Sequence, residues 1–264
     1  MTGEVNVTTL ANVTAYLKNV EVWQESWDRQ QEAFLPDREQ RFEAMLTAVA
    51  AVTGGAAPRL LDLAGGTGSI SLRTLTRFPG AQVTVLDQDP VLLTIAESSL
   101  VGRATVVDAD LGDAGWRAKL PHEGFDAVLT ATALHWLPAD RIGALYSEIR
   151  EVLRPGGIFV NADHMPDEGL PEFSERLLDH AWVKRNARYD SGAATSWADW
   201  WARAAADEQL APKVVERQRI YPTSHATEWN PAATWHLDAL RAAGFRETGL
   251  LWRGGTDAAV LGLS

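Results

Sequence analysis

Cysteine is absent from the 264-residue chain. That absence excludes disulfides, thiolate metal ligands and a cysteine nucleophile. Positive charge is scarce: 24 Lys and Arg against 35 Asp and Glu leave a formal charge of −11. Proteins that bind duplexes or membrane surfaces present a basic patch. No basic run occurs here, so neither nucleic acid nor a membrane surface is expected as a partner. Long apolar runs are missing too, and no window supplies the 18 apolar residues of a spanning helix. The first residues lack the charged start and apolar stretch of a secretory leader, and the expected location is the cytoplasm. No local His or Asp spacing matches a metal site, so no metal is expected.

What is present is a 46% hydrophobic content and 11 tryptophans. The first suffices for a real core. The length suits one domain carrying an insertion or cap. One stretch organises the rest: LLDLAGGTGSIS, Leu60 to Ser71. Leu60, Leu61 and Leu63 read as a strand covered on both faces. Gly65, Gly66 and Gly68 then crowd the backbone, and helical spacing begins at Ser69. A glycine turn that opens a helix aims backbone N–H groups at a ligand. The same turn also occurs as a plain strand–helix connection.

Residues 8–35 have helical spacing: Leu10, Val13 and Leu17, then Trp23 and Trp27. This segment fits either a packing helix or a lid over the glycine loop. A helix from Pro36 ends at Gly54-Gly55. After the glycine loop, AQVTVLD is a strand with Asp87 at its end, and Asp89 is the cap of the next helix, which leaves Asp87 for a ligand. RATVVDADL ends near Asp108 and Asp110. GFDAVLTATALHWL ends near Thr130 and carries His135 and Trp136 in its loop. After the turn Arg154 to Gly157, IFVNADHM ends at Asp163 and His164. Strands alternating with helices imply a parallel, doubly wound α/β sheet. Ligands in such sheets bind beyond the carboxyl ends of the strands. The polar residues just named all fall at those ends.

The alternation breaks between 165 and 230. Prolines punctuate helical stretches there, and Trp182, Trp197, Trp200, Trp201 and Trp229 fall in that quarter of the chain. These tryptophans fit the core of a helical cap, or the lining of a site for an aromatic or apolar acceptor. A helix over PAATWHLDALRAAGF and a closing antiparallel hairpin finish the chain. The expected organisation is a helical lid at 1–35, a cofactor core at 36–164, a helical aromatic-rich cap at 165–230 and completion of the core at 231–264.

With these segments assembled, the chain resembles the class I S-adenosylmethionine-dependent methyltransferases over residues 36–164 and 231–264. LLDLAGGTGS resembles their acidic, glycine-rich first motif, VTVLDQDP the ribose segment and DADLGDAGW the adenine segment. FDAVLTATALHWL and LRPGGIFVNAD resemble the motifs of the fourth and fifth strands. The first glycine of the usual loop is Ala64 here. The resemblance implies a Rossmann-like seven-stranded sheet whose last strand is antiparallel, with S-adenosylmethionine as cofactor. It implies that Asp62, Ala64, Gly65, Gly66 and Gly68 face the methionine and ribose portion. Asp87, with Gln88 beside it, would bind the ribose hydroxyls; Asp110 and the main chain of Leu111 would read adenine; Thr130 would lie near the methionyl end. Arg38 would pair with the cofactor's carboxylate, or stand as an exposed surface arginine.

The expected reaction is methyl transfer to a small aromatic or apolar acceptor on oxygen, a carboxylate or a phenol. Trp136 resembles the tryptophan with which carboxyl methyltransferases hold a carboxylate. A phenol needs a base, and His164 and His135 are the candidates because imidazole titrates near neutrality. Other readings remain: N-methylation of a small molecule or peptide end, or a non-methylating cyclase or decarboxylase on the same scaffold. A nicotinamide oxidoreductase fits poorly, because the loop lacks G-x-G-x-x-G spacing. The partners expected are a small-molecule substrate and, at most, a second copy of the chain, as monomer or homodimer.

Overall fold

A computed structural model describes residues 16–35, 37–221 and 228–264. The spacing noted at Leu10 and Val13, and the helix start at Pro36, lie outside them. The chain begins with α1 (Val20–Phe34) and α2 (Arg38–Thr53). Strands and helices then alternate: β1 (Arg59–Leu63), α3 (Ser69–Arg77), β2 (Gln82–Asp87), α4 (Pro90–Ser99), β3 (Ala104–Asp108), β4 (Phe125–Ala131), α5 (Ala139–Val152) and β5 (Leu153–His164). Helices α6 (Pro171–Asp190), α7 (Trp197–Ala206) and α8 (Ala211–Ile220) follow. The chain closes with α9 (Ala233–Ala242), β6 (Glu247–Gly254) and β7 (Asp257–Leu263).

Among the described residues the strands form one seven-stranded sheet, ordered β3-β2-β1-β4-β5-β7-β6. Pairs from β3 to β5 are parallel, and β7 is antiparallel to both its neighbours, as expected. The order reverses between β1 and β4, where crossovers diverge and leave a crevice at the carboxyl ends. Alternate side chains of a strand face opposite ways. Leu61 and Leu63 therefore pack with Ile142, Leu145 and Ile149 of α5. Leu60 packs on the other face with Met45 and Val49 of α2 and Ile70 of α3. Burying one such leucine contributes roughly 1.5–3 kcal/mol.

A third apolar cluster joins segments far apart in sequence. Trp23 and Trp27 of α1 pack with Trp200 and Ala204 of α7, Val214 of α8, and Val91, Leu92 and Ile95 of α4. The Trp200 ring lies 4.9 Å from Trp27 and 5.6 Å from Trp23, edge to face, the arrangement aromatic quadrupoles favour. The N-terminal helix and part of the insertion thus form one layer, carried on α4. Trp182 of α6 is exposed.

Two local readings differ from the sequence. Helix α1 starts at Val20, because Asn19 adopts a left-handed φ of 52°, a conformation asparagine tolerates. The turn Arg154–Gly157 falls inside the bounds of β5 rather than before it. There β4 advances from Phe125 to Ala127 while β5 advances from Leu153 to Ile158, so the turn bulges out of the ladder. No helix among the described residues is long and apolar enough to cross a membrane.

Candidate functional site

A cavity of about 700 Å³ opens at the carboxyl edge of the sheet, between it and the tryptophan layer. One wall starts at Asp62. One carboxylate oxygen accepts from the Ser71 backbone N–H (3.0 Å) and hydroxyl (2.7 Å). The other, Oδ1, is buried with no partner among the described residues. Burial, only partly offset by Ser71, pushes Asp62 up to about 6.

The loop after β1 is bent back over that carboxylate. Ala64, Gly66 and Gly68 have φ of 52°, 57° and 81°. Gly65 is required for space: a Cβ there would meet Asp62 Cγ at 2.7 Å and Val85 Cγ1 at 2.9 Å. Ala64 holds its left-handed conformation despite a Cβ, at a cost of about 1–2 kcal/mol. Ala64, Gly65 and Gly66 line the cavity; Gly68 caps α3 outside the lining.

Asp87 locks this loop to the end of β2. Its Oδ2 accepts from Gly66 N (2.7 Å), and its Oδ1 from Gln88 N (2.8 Å) and Asp89 N (2.9 Å). A carboxylate offers about four lone-pair sites, so roughly one stays open. Burial, with the charge of Asp89, raises Asp87 to about 6 against these hydrogen bonds. Asp89 caps α4 through Val91 N and Leu92 N, as expected, and also pairs with Arg217 of α8 at 2.5 Å. Gln88, Asp110 and Leu111 line the same wall. Asp110 Oδ1 accepts from Gly112 N (2.7 Å), and the Leu111 carbonyl accepts from Arg141 Nε (2.6 Å).

The opposite wall holds two histidine–carboxylate pairs. His135 Nδ1 lies 2.7 Å from Asp163 Oδ1, and His164 Nδ1 lies 2.7 Å from Asp257 Oδ1. The two imidazoles are 5.9 Å apart, and Trp136 stands 4.8 Å from His135. Asp163 is buried, yet its hydrogen bond from His135 and the nearby histidine charges keep it below the usual carboxylate range. Burial opposes charging of His164, but the hydrogen bond and charge of Asp257, with Asp163, outweigh it and raise its pKa; Arg41 acts the other way. Trp27, Trp197, Trp201 and Tyr221 close the cavity from the helical layer. Arg217 stacks 3.9 Å from the Trp201 ring and 4.8 Å from Tyr221.

Most sequence-selected residues therefore converge on one cavity, with corrections. Thr130 is fully buried in β4 and is not in the lining; Ala131, Thr132 and Ala133 take that place. Thr132 has a φ of 51°, a strained conformation for a β-branched residue. Arg38 is no surface arginine: it is buried, bound to Asp28 Oδ1 at 2.8 Å, and lies in the lining. The tryptophans divide: Trp200 is core, while Trp27, Trp197 and Trp201 face the cavity. His180 is exposed on α6, and His225 lies outside the described residues. His236 is buried against Tyr146 and pushed down to about 4 by that burial. Sequence reasoning missed Arg41 and Asp257. Two signals were available. Arg41 follows Arg38 by three, so both share a helix face. Asp257 opens an antiparallel strand, which puts its first residue at the carboxyl edge of the parallel ones.

A doubly wound sheet with a bent glycine turn and an acidic residue ending the next strand defines a nucleotide-cofactor-binding protein of the Rossmann-like class. Residues 60–157 match the family described as Methyltransferase domain. The chain is 35% identical over 130 residues to a ubiquinone/menaquinone biosynthesis C-methyltransferase of Methylobacterium nodulans, covering 46% of this chain and 50% of that one. It is 29% identical over 182 residues to a trans-aconitate 2-methyltransferase of Acidovorax ebreus, covering 67% and 62%. It thus spans half to three-fifths of the length of these relatives. Human N-acetylserotonin methyltransferase, solved in complex with SAM, shares the fold with a TM-score of 0.54 at 18% identity, over 92% of this chain and 57% of that one. Residues 60–157 thus resemble a methyltransferase domain, and the sheet as a whole has the fold of an enzyme solved with S-adenosylmethionine bound.

Proposed function

We propose that the chain transfers the methyl group of S-adenosylmethionine to an oxygen of a small aromatic or apolar acceptor, with His164 as the base. The observation that carries this reading is the His164–Asp257 pair facing the same cavity as the glycine loop. The residues of the other wall fit the cofactor. Asp87 keeps about one acceptor site for a ribose hydroxyl, with the Gln88 side chain beside it. Asp62 has an unpartnered oxygen in the lining. The loop at Gly65 brings backbone close, where a Cβ would obstruct. Asp110 and Leu111 flank the adenine end, and Arg38 lines the cavity and is linked to the start of the glycine-loop helix through Asp28 and Ser69.

When bound, the cofactor supplies a methyl on a cationic sulfur for in-line displacement. The chain's own work is then mainly positioning. The carboxylate of Asp257 makes Nδ1 the protonated nitrogen of His164, which leaves the Nε2 lone pair to take a hydroxyl proton. His135, held by Asp163, and Trp136 shape the same wall. Trp27, Trp197 and Trp201 provide apolar surface for the acceptor and exclude water. A cofactor-consumption screen across phenols, aromatic acids and amines tests the reading. Turnover of a hydroxyl-bearing acceptor, lost in His164→Gln, is expected; turnover confined to amines overturns it.

A further inference from the structure

Beside His164, in the lining of the same cavity, lies a charge with no part in the proton transfer. Arg41 of α2 is fully buried, its side chain 1% exposed, and its Nη2 meets Asp257 Oδ2 at 2.5 Å. Its Nε and Nη1 are buried with no hydrogen-bond partner among the described residues. The guanidinium also lies 5.2 Å from the Trp252 ring. A buried cation with two donors unmatched is costly, and an apolar side chain of similar volume would pack this position better. The fold alone therefore gives no reason for an arginine here. The site does: Asp257 gives one oxygen to Arg41 and the other to His164.

We propose that Arg41 is a positioning residue for the methyl-transfer base, forming a chain Arg41–Asp257–His164 that fixes the imidazole and keeps its proton exchangeable. The inference rests on His164 being the base. Arg41 occupies one oxygen of Asp257, so the carboxylate cannot rotate and presents Oδ1 alone to Nδ1. That sets the ring angle and the tautomer, and leaves Nε2 toward the acceptor. The positive charge also opposes the two carboxylates that favour the imidazolium. The charged and titratable groups facing His164 are Asp257 of β7, Asp163 of β5, Arg41 of α2 and His135 of the loop after β4. Without Arg41 the two aspartates act unopposed, and His164 holds its proton to higher pH.

The test compares Arg41→Gln, which can still donate to Asp257 but is neutral, with Arg41→Lys, which keeps the charge. The His164 imidazole is titrated by NMR in the full chain with the demethylated cofactor present, and methyl transfer is followed against pH. Arg41→Gln should raise the His164 titration by about one pH unit. It should also lower kcat at neutral pH about tenfold, the fraction of free base lost by such a shift, with cofactor affinity unchanged. Arg41→Lys should titrate as the parent does and recover most of the rate. Asp257→Asn gives a second check: removing the partner should lower the titration. An unmoved titration in Arg41→Gln, or the same rise in Arg41→Lys, overturns the proposal. If the titration moves but the rate ignores it, Arg41 tunes His164 and the assignment of His164 as base fails instead.

Discussion

The two walls of the cavity are built in opposite ways. The cofactor wall is assembled from local pieces: Asp62 with Ser71, Asp87 with Gly66, Gln88 and Asp89, Asp110 with Gly112. Each is a carboxylate binding backbone or hydroxyl groups within about one strand–turn–helix unit. The acceptor wall is assembled from distant pieces. His164 and Asp257 are 93 residues apart, and Arg41 and Asp257 are 216 apart. Asp62 and Asp87 on the first wall are raised by burial, while Asp163 on the second is lowered by its histidines. One wall thus presents carboxylates held by backbone N–H and hydroxyl groups, and the other pairs imidazoles with carboxylates. The contrast teaches that, on the function proposed above, cofactor recognition belongs to the local folding unit, whereas acid–base chemistry belongs to the sheet as a whole.

The sharpest way to break this division is His164→Gln. It should lower kcat by about 10²–10⁴-fold, the range for losing a general base. Binding of the demethylated cofactor, read by calorimetry, should stay unchanged; a matching loss of affinity would mean that the walls are not separate. Gly65→Val should do the reverse. Its side chain collides with Asp62 and Val85, costs about 1–3 kcal/mol of stability and weakens the cofactor, with the His164 titration unmoved. A Gly65→Val chain that binds the cofactor as well as the parent would remove the loop from the site.

The walls should also separate by pH. Asp87 is raised to about 6, so it is a carboxylate at pH 7.5 and gains a proton as pH falls through about 6. The protonated group accepts fewer hydrogen bonds, so cofactor affinity should fall toward acid. In Asp87→Asn that dependence should weaken, the remainder coming from Asp62, which burial also raises to about 6, and affinity at pH 7.5 should drop about tenfold, the worth of one hydrogen bond to a charged group. His164 works in the other direction: its pKa is raised above 6.5, and a base acts only when free. The rate should therefore climb with pH past 6.5, under saturating cofactor. The smallest effect is expected at Ala64→Gly, which relieves a left-handed alanine and should stabilise the fold by up to about 1 kcal/mol in thermal unfolding, with affinity unchanged.

The difference between the walls also explains what could be read from the chain. Each strand that ends in Asp62, Asp87 or His164 was legible from an apolar run meeting a turn, because a doubly covered strand has to be apolar throughout. The lining positions Asp62, Asp87 and Asp110 were legible with them, since their partners lie in the same or the preceding strand–turn–helix unit. Thr130 was misplaced because the lining follows the β4 backbone two residues further, through Thr132, whose left-handed φ leaves no mark in sequence. Arg38 read as surface because nothing local announces that Asp28, ten residues earlier, will cover it. The tryptophans could not be sorted at all: Trp200 and Trp201 are neighbours, yet one is core and the other faces the cavity, a matter of helix rotation against α1 and α4.

By itself, the sequence determined the order of strands and helices, the glycine turn and the carboxylates at or next to the ends of β1 and β2. These follow from hydrophobic periodicity and backbone sterics, which act over a few residues. Only the tertiary structure decided the acceptor wall. The antiparallel entry of β7 sets Asp257 opposite His164, in register, and α2 lays Arg41 against Asp257. Such pairings depend on strand register and helix packing across the whole sheet, and no local stretch of the chain encodes them.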